Sequence, residues 1–107
     1  MSEGYIPEGE TRVDSGVVLE EELKEPSMYR VILHNDDFTT MDFVVMVLME
    51  IFHKTGDEAE NIMLAVHEKG SATCGVYPKE IAEFRVGQVA RRANEAGFPL
   101  RCTMEKE

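Results

Sequence analysis

Three segments of the chain alternate between apolar and polar residues, and this period of two predicts β-strands with one buried face. They run over 28–34, 71–77 and 100–104. The residues in the apolar phase are Tyr29, Val31 and Leu33, then Ala72, Cys74 and Val76, then Leu100, Cys102 and Met104. Both cysteines are therefore predicted to be small core residues, because two are too few for a disulfide scaffold or a four-ligand zinc site.

Apolar residues at helical spacing predict three helices between these strands. The helices extend over 41–53, from 57 to Gly70, and from Pro78 to Gly97. The first is apolar on almost all sides, which is typical of a helix that is buried or that presents an apolar face to a ligand. The inner face of the third helix is predicted to consist of Ala82, Val86, Val89, Ala90 and Ala93.

The residues at the start of each helix predict how it is capped. Thr39 is predicted to be the N-cap of the first helix, with the Asp42 carboxylate reaching back as in a capping box. Asp57 is predicted to cap the second helix, with Glu60 at its third position. Pro78 is predicted to open the third helix, because the first helical position needs no amide hydrogen.

The elements follow one another in the order β-α-α-β-α-β, which predicts a single α/β domain of the α+β type over 26–107. In it the helices pack against one three-stranded sheet. The total of 107 residues is the size of one domain. Residues 1–25 differ, because they hold eight acids and two bases, a net charge of −6, and show no apolar period. Such a segment is predicted to be a flexible acidic extension, since it cannot bury enough surface to offset its ordering entropy.

The charge of the whole chain excludes several function classes. With 21 acidic and 11 basic residues, the net charge is −10. That argues against a nucleic-acid surface and against docking on anionic lipid, since both need Lys and Arg. No apolar run reaches the roughly 20 residues of a membrane helix, and the first residues lack the basic and apolar regions of a signal peptide. We therefore expect a cytosolic protein with neither nucleic-acid nor membrane partners.

Two polar features could carry chemistry. Asn35, Asp36 and Asp37 precede the first helix, and His67 lies near the end of the second. Their ordinary interpretation is a turn with helix-dipole acids and a surface histidine, while an acid/base pair of Asp36 with His67, or a metal site, stays open. No Gly-rich phosphate loop, nucleophile elbow or known metal-ligand spacing accompanies them. The residues therefore give no strong enzyme signal, and we expect no catalytic residue, bound metal or cofactor, with a small acid/base or metal-binding protein that uses Asp36 and His67 as the alternative.

Methionine is frequent in this chain, at seven of 107 residues. Met41, Met46, Met49 and Met63 lie on the first two predicted helices. They either fill the core or line an adaptable apolar pocket, because methionine is unbranched and repacks readily.

One stretch is more specific than any of these patterns. The run HNDDFTTMDFV over 34–44, together with the strand before it, closely resembles the signature of ClpS adaptor proteins. The run MLAVH over 63–67, with Gly70 three residues on, resembles the same family. The similarity covers about residues 26–107, and it departs from the family at Thr40, where a proline is common.

The resemblance implies an antiparallel three-stranded sheet with three helices and the function of a non-enzymatic adaptor for an AAA+ protease. Such adaptors bind proteins that begin with Leu, Phe, Tyr or Trp, the bacterial N-end rule, and hand them to the Clp unfoldase, ClpA or ClpC. The family positions that hold the substrate's α-amino group correspond to Asn35, Asp36 and His67. Those of the pocket for the first side chain correspond to Thr39, Met41, Val44, Met63, Val66 and Leu100.

The resemblance also implies a partner surface. Glu80 and Arg85 on the third helix match positions with which family members dock the N-terminal domain of the unfoldase. The resemblance further implies a monomer in the bacterial cytoplasm. It also implies that the extension over 1–25 serves the transfer of substrates to the unfoldase.

Overall fold

The computed structural model describes residues 26–107, so the predicted flexible extension over 1–25 lies outside the described residues. The elements are β1 (Met28–His34), α1 (Met41–Glu50), α2 (Gly56–Lys69), β2 (Ser71–Pro78), α3 (Lys79–Ala96) and β3 (Arg101–Lys106). The order β-α-α-β-α-β is the predicted one, and the α+β fold class is confirmed. Within the described residues, no helix is long and apolar enough to cross a membrane.

The sheet has the order β2-β1-β3, and both strand pairs are antiparallel. β1 is central, so its inward residues Val31 and Leu33 are fully buried. The helices cover this face, with α3 packed on all three strands and α2 packed between α1 and β2. The hydrophobic core therefore lies between the sheet and the helices, as the layered arrangement requires.

A β-bulge interrupts β2. The register passes from Val31 opposite Gly75 to Ile32 opposite Thr73, which leaves Cys74 as the extra residue. The bulge reverses the phase of the rest of the strand, so that Val76 is exposed and Tyr77 packs on the core. The prediction that Val76 shares the buried phase of Ala72 and Cys74 is therefore wrong. The predicted phase of β3 is confirmed, with Cys102 and Met104 packed against the core and Leu100 buried just before the strand.

Helix α1 ends three residues earlier than predicted. Ile51 is its C-cap, and His53 has a positive φ of 56° that reverses the chain. The Lys54 amide donates to the Leu48 carbonyl at 3.1 Å, which satisfies one of the last carbonyls of the helix. The apolar pattern predicts a longer helix because Ile51 and Phe52 remain buried after the helix has ended.

The helix caps also correct the prediction. Thr40, not Thr39, caps α1, and its hydroxyl accepts from the Phe43 amide at 3.1 Å, a hydrogen bond that a proline at this position does not offer. Thr55, not Asp57, caps α2 in a capping box with Glu58. Each helix start offers two candidate caps within two residues, and the sequence does not decide which one takes the extended backbone.

Two positions of α3 differ from the prediction, one at the start of the helix and one on its inner face. Pro78 is the extended N-cap residue rather than the first residue of the helix. Ala82, Val89 and Ala93 are buried as predicted and Val86 packs partly on the core, whereas Ala90 is exposed. Ala90 lies one position past Val89, about 100° around the helix, which places it outside the stripe that the sheet covers.

Alanine substitutions at two glycines are expected to change the free energy of unfolding in opposite directions. Gly70 ends α2 in the left-handed region, with a φ of 92°, whereas Gly87 lies inside α3 with open space around a potential β-carbon. Gly70→Ala is expected to lower the free energy of unfolding by about 1–2 kcal/mol. Gly87→Ala is expected to raise it by about 0.5–1 kcal/mol. Urea unfolding of both variants checks this pair. An unchanged free energy of unfolding in Gly70→Ala would contradict the backbone strain that alanine is expected to suffer at this position.

Candidate functional site

A cavity of about 230 Å³ opens where the β1–α1 loop, the start of α1 and the last turns of α2 meet. Its walls are formed by Asn35, Asp36, Asp37, Thr39, Met41, Val44, Met63, Val66 and His67. Pockets for drug-sized ligands measure roughly 300–1,000 Å³. The cavity therefore has room for a ligand the size of one amino acid.

Eight of the nine residues that the sequence proposes for the binding site line this cavity. The ninth, Leu100, is buried where the chain enters β3 and lines a separate depression with Phe98 and Ala93. The patterns of the elements gave no signal that loop and helix would converge here; only the resemblance did. Asp37 was not among the predicted site residues, although its place in the Asn35–Asp37 run was a usable signal.

The β1–α1 loop is held by the carboxylate of Asp36. Its Oδ1 accepts from the amides of Phe38 at 2.8 Å and Thr39 at 2.7 Å, and its Oδ2 accepts from the Thr39 hydroxyl at 2.7 Å. Thr39, predicted as a helix cap, is therefore a partner of Asp36. These bonds fix the loop backbone before any ligand arrives.

A second bond ties the loop to α2. The Asn35 amide donates to the Gly70 carbonyl at 2.9 Å, directly after the last residue of α2. His67 lies in the last turn of this helix, so the bond brings the end of β1 to the same side of the cavity as the imidazole. Asn35, Asp36 and His67 converge through main-chain geometry, although His67 lies more than 30 positions from the other two in the sequence.

The hydrogen bonds around Asp36 also set its charge. Partial desolvation raises the pKa of Asp36, but the bonds from the Thr39 hydroxyl and from the amides of Thr39 and Phe38 outweigh it and hold the pKa below its usual value. The ionised carboxylate therefore stabilises the folded state at neutral pH, and this stabilisation is lost only as the pH falls below about 4. A carboxylate of this kind is a weak general base.

The cavity is polar at one end and apolar at the other. Asn35 and His67 are exposed at the polar end, whereas Val44, Met63 and Val66 are buried and form an apolar floor. Met41 stands at the rim with 47% of its surface exposed. The arrangement suits a small ligand that carries a cation at one end and an apolar group at the other.

Metal binding and thiol chemistry have less support than ligand binding in the cavity within residues 26–107. In this part of the chain no three His, Cys, Asp or Glu side chains come close enough together to hold a metal ion. Burial raises the pKa of both Cys74 and Cys102 to about 12, so both thiols stay protonated at neutral pH. Cys74 lies in the core and Cys102 packs against it, as predicted for small apolar residues.

Residues 24–103 match the family model described as "ATP-dependent Clp protease adaptor protein ClpS". The chain belongs to the ClpS family. Because ClpS proteins are adapters of the Clp protease, the family assignment gives the chain a role in proteolysis without making it a protease.

Relatives named ATP-dependent Clp protease adapter protein ClpS support the assignment along most of the chain. The ClpS of Oleidesulfovibrio alaskensis is 60% identical over 96 residues, which cover 90% of this chain and 92% of that protein. The ClpS of Nitratidesulfovibrio vulgaris strain Hildenborough is 49% identical over 106 residues, which cover 99% of both chains. The similarity to the latter extends into residues 1–25.

A solved ClpS structure shares the fold. The structure of Agrobacterium tumefaciens ClpS2 bound to L-phenylalaninamide superposes with a TM-score of 0.75 at 38% identity. It covers 78% of this chain and all of the ClpS2 chain. This chain and ClpS2 therefore share the three-stranded sheet with its three helices.

Proposed function

We propose that this ClpS chain binds protein substrates by an N-terminal Leu, Phe, Tyr or Trp with a free α-amino group. It then delivers them to the ClpA- or ClpC-type unfoldase of the Clp protease. The observation that carries the proposal is the cavity in which Asn35, Asp36 and His67 stand beside an apolar floor.

The polar end of the cavity matches the chemistry of an α-ammonium group. An ammonium group carries three donors, so it needs three acceptors that converge. Asn35 offers its side-chain oxygen, and His67 offers a ring nitrogen. A carboxylate has about four lone-pair sites; three at Asp36 are used by Thr39 and Phe38, so one remains for the ligand.

The apolar floor matches the first side chain. Burying a Leu or Phe side chain contributes roughly 1.5–3 kcal/mol, and each hydrogen bond to the charged amine contributes about 1.5–3 kcal/mol. After the entropic cost of association, these contributions support an affinity on the order of micromolar or somewhat tighter. An adaptor with this affinity can still release its substrate.

The compound bound by the Agrobacterium tumefaciens ClpS2 supports this choice of ligand. L-phenylalaninamide has a free α-amino group, a phenylalanine side chain and an amide in place of the carboxylate. It is therefore chemically equivalent to the first residue of a peptide. A cavity of about 230 Å³ beside three acceptors in this chain fits such a residue.

A titration with peptides that differ only in the first residue tests the proposed ligand. Peptides that begin with Phe, Leu, Tyr or Trp are expected to bind at least about tenfold more tightly than those that begin with Ser or Asp. Fluorescence anisotropy with a label at the peptide's carboxyl end measures the difference without blocking the amine. Equal affinity across the series would contradict the proposal.

For the unfoldase we propose the outer surface of α3, formed by Glu80, Ile81, Phe84 and Arg85, hereafter the α3 surface. Phe84 is 58% exposed and Ile81 44% exposed, which places two large apolar side chains between an acid and a base. The Arg85 guanidinium lies 5.9 Å from the Phe84 and Tyr77 ring centroids. An apolar centre with a charged rim is typical of a protein interface.

The net charge and the family assignment support the remaining expectations about partners, oligomeric state and localisation. A net charge of −10 suits neither nucleic acid nor anionic lipid as a partner. We expect the chain to act as a monomer in the bacterial cytoplasm, where unfoldase and substrates meet, without a cofactor or a reaction of its own.

A further inference from the structure

A second concavity lies next to the cavity, between the outer faces of α1 and α2. It measures about 500 Å³ and is formed by Asp42, Val45, Met46, Met49, Glu50, Gly56, Glu60 and Met63. Met63 belongs to both concavities and separates them. We call the second one the α1–α2 groove.

The α1–α2 groove has an apolar floor that is partly open to solvent. Val45 and Met46 are half-buried, and Met49 is 44% exposed although it is a large apolar residue. Methionine side chains adapt to differently shaped apolar groups because they are unbranched and flexible. The floor can therefore pack against side chains of more than one shape.

Carboxylates form the rim of the groove. Glu50 is neutralised by Arg92 at 2.7 Å, whereas Asp42 and Glu60 make no ion pair with another residue of 26–107. The exposed rim therefore carries negative charge over an apolar floor. This combination complements a segment that carries apolar and basic side chains and repels an acidic one.

The length of the groove sets the size of its occupant. From Met41, at the rim of the cavity, to Met49 the helix rises about 12 Å at 1.5 Å per residue. An extended peptide advances about 3.3–3.6 Å per residue, so three to four residues cover this distance. A substrate whose first residue sits in the cavity has its third to fifth residues at about the right distance.

We propose that the α1–α2 groove is a second subsite for substrates, which holds apolar and basic side chains at about positions three to five of the bound chain. This inference rests on the proposed function, because it takes the cavity as the site of the first residue. The subsite would distinguish substrates that share the same first residue by the side chains at about positions three to five. Substrates with Leu or Met beside Lys or Arg are favoured, and those with Asp or Glu are disfavoured.

Three labelled peptides with the same first two residues test the subsite. They continue as Phe-Ser-Gly-Ser-Gly, Phe-Ser-Leu-Lys-Leu and Phe-Ser-Leu-Glu-Leu. The Leu-Lys-Leu peptide is expected to bind roughly fivefold to tenfold more tightly than the Gly-Ser-Gly peptide. The Leu-Glu-Leu peptide is expected to lose most of this gain.

Two groove variants and one matched control separate contact from general attraction. Met49→Ser and Glu60→Lys are each expected to remove most of the gain of the Leu-Lys-Leu peptide while leaving the Gly-Ser-Gly peptide unchanged. Glu95→Lys makes the same charge change on an exposed residue of α3, outside the groove, and is expected to retain the gain. Unchanged binding of the Gly-Ser-Gly peptide also shows that each variant is folded.

The possible failures are distinguishable. If all three peptides bind equally, or if Glu95→Lys removes the gain as fully as Glu60→Lys does, the subsite is overturned and the first-residue site stands. If the gain survives both Met49→Ser and Glu60→Lys, the contact lies elsewhere and the subsite is again overturned. If the Gly-Ser-Gly peptide does not bind wild-type protein at all, the proposed function itself fails, and the subsite fails with it.

Discussion

Acetylating the first residue of a Phe-led peptide is expected to weaken its binding at least about a hundredfold. The acetyl group removes the positive charge and two of the three donors that Asn35, Asp36 and His67 would accept. Each lost charge-assisted hydrogen bond costs about 1.5–3 kcal/mol, and about 1.4 kcal/mol is a factor of ten in affinity. Anisotropy titrations of the free and acetylated peptides measure the ratio, and similar affinities for both would refute the amine site.

A variant at Asp36 assigns the effect to this site. Asp36→Ala removes the acceptor and also the three bonds that hold the loop. It is therefore expected to weaken the free peptide at least about tenfold and to reduce the ratio between free and acetylated peptides. Thr39→Val removes only the hydroxyl bond to Asp36 and is expected to have a smaller effect. A ratio that Asp36→Ala leaves unchanged would place the amine elsewhere.

Deleting residues 1–22 is expected to abolish degradation of substrates in a reconstituted Clp protease while leaving peptide affinity unchanged. Every residue proposed for binding lies after residue 26, and the extension carries a net charge of −6 over its 25 residues. A chain of 25 residues spans at most about 80–90 Å, or roughly 25–30 Å as a coil. We expect the extension to use this reach to engage the unfoldase during substrate transfer.

A second variant distinguishes delivery from docking. Phe84→Ser on the α3 surface is expected to weaken binding to the unfoldase while retaining peptide affinity, because it removes the most exposed apolar side chain of this surface. The deletion is expected to retain unfoldase binding and lose degradation. If the truncated protein delivers substrates at the full rate, substrate transfer depends on the folded domain alone.

The element order could be predicted from the sequence because each strand and helix carries its own period. The buried phase of β1 and most of the inner stripe of α3 follow directly from that pattern, whereas the exposure of Ala90 does not. Local choices between neighbours could not be predicted in this way. Thr39 and Thr40 are equally good caps by residue type, and the bond from the Thr39 hydroxyl to Asp36 depends on the folded loop. The bulge at Cys74 is equally invisible, since period counting assumes an uninterrupted ladder.

The candidate site was predicted by resemblance rather than by pattern. Asn35 and His67 belong to different elements, and they line one cavity because the end of β1 is bonded to the end of α2. A single sequence contains no period that predicts such a long-range bond. Leu100 lines a separate depression in this structure, and its part in the site stays a prediction.

The bulge in β2 has a consequence for how copies of this protein behave at high concentration. Both β2 and β3 are outer strands of the sheet, and a flat outer strand is a template on which another chain can add its own strand. The extra residue at Cys74 breaks the regular spacing of β2, and the strand ends at Pro78, which has no amide to donate. On the other side β3 exposes Arg101, Glu105 and Lys106. The described domain is thereby protected on both edges against edge-to-edge aggregation, which an adaptor with an apolar pocket must avoid.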